Sequence, residues 1–141
     1  MPAWSTGSVL SKRQGHDGVV EMWHNPSCSK CAAALSTFND AGVRYRLRAY
    51  LDQPPTAAEL TEVLRRLDAQ PWDICRTGEP MAVRLKMDEW PRDAASVGRW
   101  IDAMVEHPEL IQRPIILLDD GDAVIGRTPE ALDEVVRRSA I

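Results

Sequence analysis

Trp23-His24-Asn25-Pro26-Ser27-Cys28-Ser29-Lys30-Cys31, running on into Ala32-Ala33-Ala34-Leu35, is the stretch on which the reading of the chain turns. Before it stands Val19-Val20-Glu21-Met22-Trp23, a short apolar run that reads as a strand. The cysteine pair therefore lies where a strand gives way to a helix, with Cys28 at or beside the helix N-terminus. A thiol in that position meets backbone N–H groups that have no intrahelical partner, and the positive end of the helix dipole. Both favour the thiolate, which is the reactive form. The same N–H groups hold an oxyanion close to the sulfur. A cysteine so placed is built to attack a bound anion or another thiol.

Working outward, the elements on either side follow in order. Ser29 to Asp40 carries Leu35 and Phe38 at helical spacing and stops at Asn39-Asp40-Ala41-Gly42. Val43 to Ala49 alternates apolar residues with Arg44, Arg46 and Arg48, a strand with one charged face. Pro54-Pro55-Thr56 opens a helix through Leu60, Val63, Leu64 and Leu67, with Thr56 as cap and Glu59 three residues on. Pro71 to Pro80 is turn-rich, and the spacing of Ala95, Val97, Trp100, Ile101, Met104 and Val105 predicts a helix from Pro91 to His107. Pro114-Ile115-Ile116-Leu117-Leu118 is a short strand, and Asp119-Asp120-Gly121-Asp122 turns it back into Ala123-Val124-Ile125. Thr128 and Pro129 then start a last helix. The order β-α-β, helical middle, β-β-α predicts a thioredoxin-like α/β fold: three layers, with a small central mixed sheet flanked by helices and a helical insertion. Pro114 suits the cis-proline that such folds set opposite the reactive cysteine.

Composition narrows the function. A chain of 141 residues with 17 basic and 21 acidic side chains, net charge −4, is one acidic domain with room for a real core. That balance argues against nucleic acid and membranes as partners, so an anionic ligand must be drawn by a local cluster of arginines. Three cysteines are too few, and an odd number, for a secreted disulfide framework, and a cytoplasmic redox role is expected. No stretch is long enough to span a bilayer. Residues 1–18 hold three glycines and several serines without a long apolar core, so a disordered tail is expected there, followed by a single domain over 19–141. A lone Cys-x-x-Cys without a second pair is a poor zinc site, and no metal is expected. Cys75 reads as a core thiol and the five tryptophans as packing residues.

Five motifs in register carry a more specific reading: His24-Asn25-Pro26-x-Cys28-Ser29-Lys30, Tyr50-Leu51-x-x-Pro54-Pro55, Arg76-x-x-Glu79-Pro80, His107-Pro108-x-Leu110-Ile111-x-Arg113-Pro114-Ile115 and Gly126-Arg127-x-Pro129-Glu130. Together they resemble the glutaredoxin-coupled arsenate reductase family, in the family's order from His24 to the last helix. The resemblance implies that the Cys28 thiolate attacks the arsenic of a bound arsenate. A second thiol, glutathione or another small thiol, then reduces the arsenic as co-substrate, with no bound cofactor. Glutaredoxin restores the enzyme. It also implies that Arg76, Arg113 and Arg127 hold the oxyanion and act in catalysis, that Asn25, Ser29 and Lys30 join them in binding the substrate, and that His24 tunes the thiol. The chemistry is sound, because planar and permanently charged guanidinium groups bind oxyanions bidentately and stabilise charge on oxygen during attack.

The chain leaves the family pattern at Cys31, where the family usually has serine. Cys31 introduces a candidate resolving thiol, and with it thioredoxin as an alternative reductant. It also opens rival readings. The Spx-type regulators, which bind RNA polymerase, share the fold and an N-terminal Cys-x-x-Cys, and a general thiol-disulfide oxidoreductase would carry the same pair. Arg127 and the His-Asn-Pro lead-in favour the arsenate reductase.

Overall fold

The computed structural model describes residues 18–139. The tail expected over 1–18 thus lies outside the described residues except for Gly18, whose N–H donates to Asp119 Oδ2 at 2.8 Å. Among the described residues four strands form one sheet in the order β2-β1-β3-β4. Strand β1 (Val19–His24) runs parallel to β2 (Arg44–Ala49), while β3 (Ile115–Leu117) is antiparallel to both β1 and β4 (Ala123–Ile125). The register pairs His24 with Ala49. The chain segments leaving these two parallel strands therefore emerge side by side at one edge of the sheet.

Alternation along β1 and β3 divides the interior into two cores. Val20, Met22, Ile116 and Leu118 face one layer, made by α1 (Ser29–Ala41) and α5 (Pro129–Ser139), and pack with Cys28, Cys31, Ala34, Phe38, Leu132 and Val135. Trp23 and Ile115 face the other layer, where α2 (Ala57–Leu67) and α4 (Val97–Glu106) supply Leu60, Val63, Leu64, Trp100, Ile101 and Met104. The second core holds the larger side chains. At roughly 1.5–3 kcal/mol for each fully buried large apolar side chain, it contributes most of the hydrophobic stabilisation. The three-layer arrangement read from the order of elements is the one observed.

Local chemistry explains the boundaries. Helix α1 ends because Gly42 adopts φ 73°, ψ 21° and its N–H caps the last turn on Asn39 and Phe38, a left-handed conformation that suits glycine. Helix α2 starts on a full capping box: the Glu59 N–H donates to Thr56 Oγ1 at 3.1 Å and the Thr56 N–H to Glu59 Oε1 at 2.9 Å. Arg48 then clamps strand to helix, donating to Glu59 at 2.7 Å and lying 5.2 Å over the Trp23 ring. Helix α4 begins at Val97, later than its apolar spacing predicts. Residues 94–96 instead form a tight turn capped by Asp93 Oδ1 on the Ser96 N–H at 3.0 Å. Between α2 and α4 the chain is irregular around the five-residue α3 (Pro80–Arg84), held by Trp72 and Trp90 packed edge-on against buried Trp100 at 6.0 and 5.4 Å. The Trp100 indole N–H donates to the Pro91 carbonyl at 2.9 Å. No helix of the described residues is long and apolar enough to cross a membrane.

Candidate active site

The segment joining β1 to α1 is folded by Asn25. Its side-chain Oδ1 accepts the Ser27 N–H at 2.9 Å, and its carbonyl accepts the Cys28 N–H at 3.0 Å. These two bonds close the turn and deliver Cys28 to the N-cap position of α1, with φ −98°, ψ 122°, where its carbonyl accepts the first helical bond from Ala32 at 3.1 Å. Serine, threonine or aspartate at that position would cap with oxygen. Here the thiol forms no conventional cap, but the N–H groups of Lys30 and Cys31 are directed at its sulfur. Burial alone would push this thiol up. The Cys31 N–H, the Arg113 guanidinium, the Cys31 thiol and the Lys30 N–H outweigh it, and the Cys28 pKa falls to about 7.

Cys31 sits one turn in, fully buried, with the Cys28 thiol and the Asn25 N–H as neighbours of its sulfur. Burial raises it to about 11, helped by the negative charge on Cys28 and opposed by the Asn25 N–H and Arg113. Adjacent sulfurs thus have opposite character: Cys28 is half ionised at neutral pH, and Cys31 is a thiol.

Arg113 is the common neighbour. It lies beside both the Cys28 sulfur and the hydroxyl of Tyr50, which burial keeps neutral. Tyr50 Oη and Arg113 Nε are both buried, and neither has a well-formed hydrogen bond to the other or to any other group among the described residues. The Arg113–Pro114 peptide is cis, the isomer that the fold reading pointed to. Two further arginines reach the same segment. The Arg127 guanidinium donates to the Arg113 carbonyl at 2.9 Å. Arg76 is held by its backbone N–H on the Leu110 carbonyl at 2.7 Å, with its Nη1 3.4 Å from the Glu109 carbonyl and 2.8 Å from Glu79. Gly126, just before Arg127, donates its N–H to the Pro114 carbonyl at 2.9 Å. A Cβ there would stand 2.6 Å from Ile116 Cδ1, 3.1 Å from Leu132 Cδ2 and 3.3 Å from Pro114 Cγ, so a larger residue must displace the Ile116 terminus.

Not every residue read from the sequence joins this cluster. Lys30 offers its backbone to Cys28, but its exposed side chain lines a cavity of about 220 Å³ between α1 and α5, which Arg127 and Asp133 also line. Ser29 is exposed in the first turn of α1. His24 closes β1 half-buried, and none of the principal influences on the Cys28 thiol comes from it. Cys75 belongs to the other core, where burial pushes it up to about 11. Among the described residues no group of three His, Cys, Asp or Glu side chains is arranged to hold a metal ion.

Tyr50 is the site residue that sequence reasoning passed over. The signal was present: it follows the last residue of β2, at the sheet edge from which the cysteine loop also leaves.

Three comparisons bear on this arrangement. The model of the ArsC family matches residues 23–135. An arsenate reductase of Neisseria meningitidis is 33% identical over 118 residues, covering 83% of this chain and 97% of its own. A protein of Streptomyces viridochromogenes described as uncharacterized, from the glnII region, is 49% identical over 119 residues, covering 84% of this chain and all of its own. Among solved structures, an arsenate reductase from Vibrio cholerae superposes with a TM-score of 0.73 at 30% identity, covering 83% of this chain and 97% of that one.

Proposed function

This chain belongs to the ArsC family, and on that premise we propose that it is an arsenate reductase whose nucleophile is Cys28. One observation carries the reading: the Cys28 sulfur, with its pKa lowered to about 7, lies at the start of α1 against Arg113, on whose flanking backbone Arg127 and Arg76 are anchored. A nucleophile and several fixed cations at one place are what a multiply charged tetrahedral oxyanion requires.

In this mechanism Arg113 and the first N–H groups of α1 receive the arsenate oxygens, and Arg127 and Arg76 add charge from either side. Arg76 exchanges part of its contact with Glu79 for the substrate. The Cys28 thiolate attacks arsenic, and one oxygen leaves as water after taking up a proton, so arsenic stays pentavalent in the sulfur-linked ester. A second thiol then attacks the Cys28 sulfur. The electron pair of the S–As bond remains on arsenic, which departs as trivalent arsenite, and Cys28 is left in a disulfide. The cis Arg113–Pro114 segment and neutral Tyr50 wall this space. Consumption of reduced thiols suits the cytoplasm, with glutathione and glutaredoxin or with thioredoxin as partners.

The test is arsenate-dependent NADPH oxidation, run once with glutathione, glutaredoxin and glutathione reductase, and once with thioredoxin and its reductase. Oxidation that requires both arsenate and this protein is the expected result. Silence in both mixtures overturns the reading. Capture of RNA polymerase by the inactive protein would then favour an Spx-type regulator, and reduction of a test disulfide a general oxidoreductase.

A further inference from the structure

We infer that Cys31 is the resolving thiol: after Cys28 has reacted, Cys31 attacks its sulfur, closes a Cys28–Cys31 disulfide, and commits the protein to a dithiol reductant. The inference rests on Cys28 being the attacking thiol, as proposed above.

Geometry makes the case first. The two residues are three apart on the first turn of α1, a spacing that sets Cβ atoms about 5–6 Å apart on one face, within relaxing distance of a disulfide. Each thiol is near enough to the other to shift its titration. Cys31 is 0% exposed, so an outside thiol has no path to it, and the reactive partner at hand is Cys28. The Asn25 backbone N–H acts on the Cys31 sulfur and favours negative charge on that atom. A small packing residue has no use for such a donor.

The electrostatics then supply an order of events. In the resting protein burial keeps Cys31 protonated, and the Cys28 charge and the hydrogen bond between the sulfurs reinforce this. Cys31 therefore does not compete with Cys28 for the oxyanion. Once Cys28 is bonded to arsenic its charge is gone, and both of those influences vanish. The Asn25 N–H and Arg113 remain, and both favour the Cys31 thiolate. Burial still opposes the charge, but the balance on Cys31 moves toward thiolate once there is an adduct to resolve.

The step balances. The Cys31 sulfur forms a bond to Cys28 Sγ, the Cys28–arsenic bond breaks, and its electron pair stays on arsenic, taking it from the pentavalent to the trivalent state. The Cys31 proton passes to an oxygen of the departing arsenite, and two thiols have become one disulfide. A dithiol reductant then attacks the less buried sulfur, Cys28, forms its own disulfide in a second exchange, and returns two thiol hydrogens to the pair.

The experiment uses the full chain, reduced and freed of small thiols, mixed with arsenate alone, then alkylated and examined by peptide mass spectrometry with arsenite quantified. The expected result is one arsenite per chain, Cys28 and Cys31 joined with the loss of two hydrogens, and Cys75 outside the disulfide. Cys31→Ser should release no arsenite under these conditions, and thioredoxin-supported turnover should drop roughly 100-fold. The wild-type readout stands without the variant, so poor folding of Cys31→Ser does not obscure it. Arsenate reduction with glutathione and glutaredoxin, together with no arsenite from arsenate alone and glutathione held on Cys28, would overturn the resolving role and leave the reductase reading intact. No reduction under any condition would remove the arsenate reading instead. Incubation with glutathione disulfide then decides the pair: a Cys28–Cys31 disulfide upholds the role of Cys31, and a lasting Cys28–glutathione adduct overturns it.

Discussion

Cys28 and Cys75 are buried almost equally, 6% and 8% exposed, yet one thiol is drawn down to about 7 and the other pushed up to about 11. Burial acts in the same direction on both. What differs is the backbone around them. Cys75 lies in an extended segment bridged to Ile111, where the Arg76 N–H is taken by the Leu110 carbonyl and the Gln112 N–H by that of Ile74. The donors near its sulfur are already committed to the neighbouring chain. Cys28 stands at the start of a helix, where N–H groups have no carbonyl partner by construction and turn to the sulfur instead. Arg113 completes the contrast with a guanidinium beside the sulfur, whereas Arg92 acts on Cys75 only through its charge. The donors left uncommitted at the start of a helix, and the Arg113 charge, separate Cys28 from Cys75.

The sharpest way to break the contrast is to remove the sulfur. Cys28→Ser should lose arsenate reduction to below detection, measured by arsenite release, because a hydroxyl is far less acidic and cannot enter the redox step. Next in size is Arg113→Ala. Losing one charge-stabilising donor should lower kcat/KM by roughly 3 kcal/mol, about two orders of magnitude, and should raise the Cys28 pKa in thiol titrations. Arg127→Ala should reduce kcat/KM by a similar order while leaving the Cys28 titration nearly in place, since its bond is to the Arg113 carbonyl and not to sulfur.

A pH series sharpens the comparison without mutation. A lowered thiol pKa means protonated below it and thiolate above, so alkylation of Cys28 should climb through neutral pH, centred near the value of about 7, and then level off. Cys75, with its pKa raised to about 11, should stay unreactive across that range. A shared titration curve would erase the distinction. Smallest of all, Cys75→Ala should leave kcat unchanged and lower stability by about 1 kcal/mol for a lost buried group, read from denaturant midpoints.

The legible parts of this molecule were those written in consecutive residues. The strand-turn-helix around Cys28, the Thr56 cap with Glu59, the Gly42 stop and the β3–β4 hairpin each rest on short-range chemistry, and each stands where its residues predicted. The start of α4 did not, because Asp93 competes for the Ser96 N–H and converts the first predicted turn into a tighter one. At the site, the motif spacing brought out Cys28 and the arginines. Tyr50 stood in a motif without a role, because its proximity to Arg113 depends on two parallel strands ending together. Arg127 shows the same limit from the other side: its residue type announced a cation, but its bond to the Arg113 carbonyl is a product of tertiary folding.

Gly126 has a consequence that reaches beyond packing. A methyl group at Gly126 would press on the terminal Cδ1 of buried Ile116, 2.6 Å away, so either Ile116 turns aside or the Gly126 N–H shifts on the Pro114 carbonyl that it now holds. Arg127 is the next residue, so any such shift would be transmitted directly to its guanidinium and to the Arg113 carbonyl beneath it. The tolerance of the anion cradle is thus written into a residue that touches neither sulfur nor oxyanion. Among laboratory-evolved variants selected for arsenic resistance, position 126 should behave as a fixed hinge pin, while the exposed Ser29 in the first turn of α1 drifts freely.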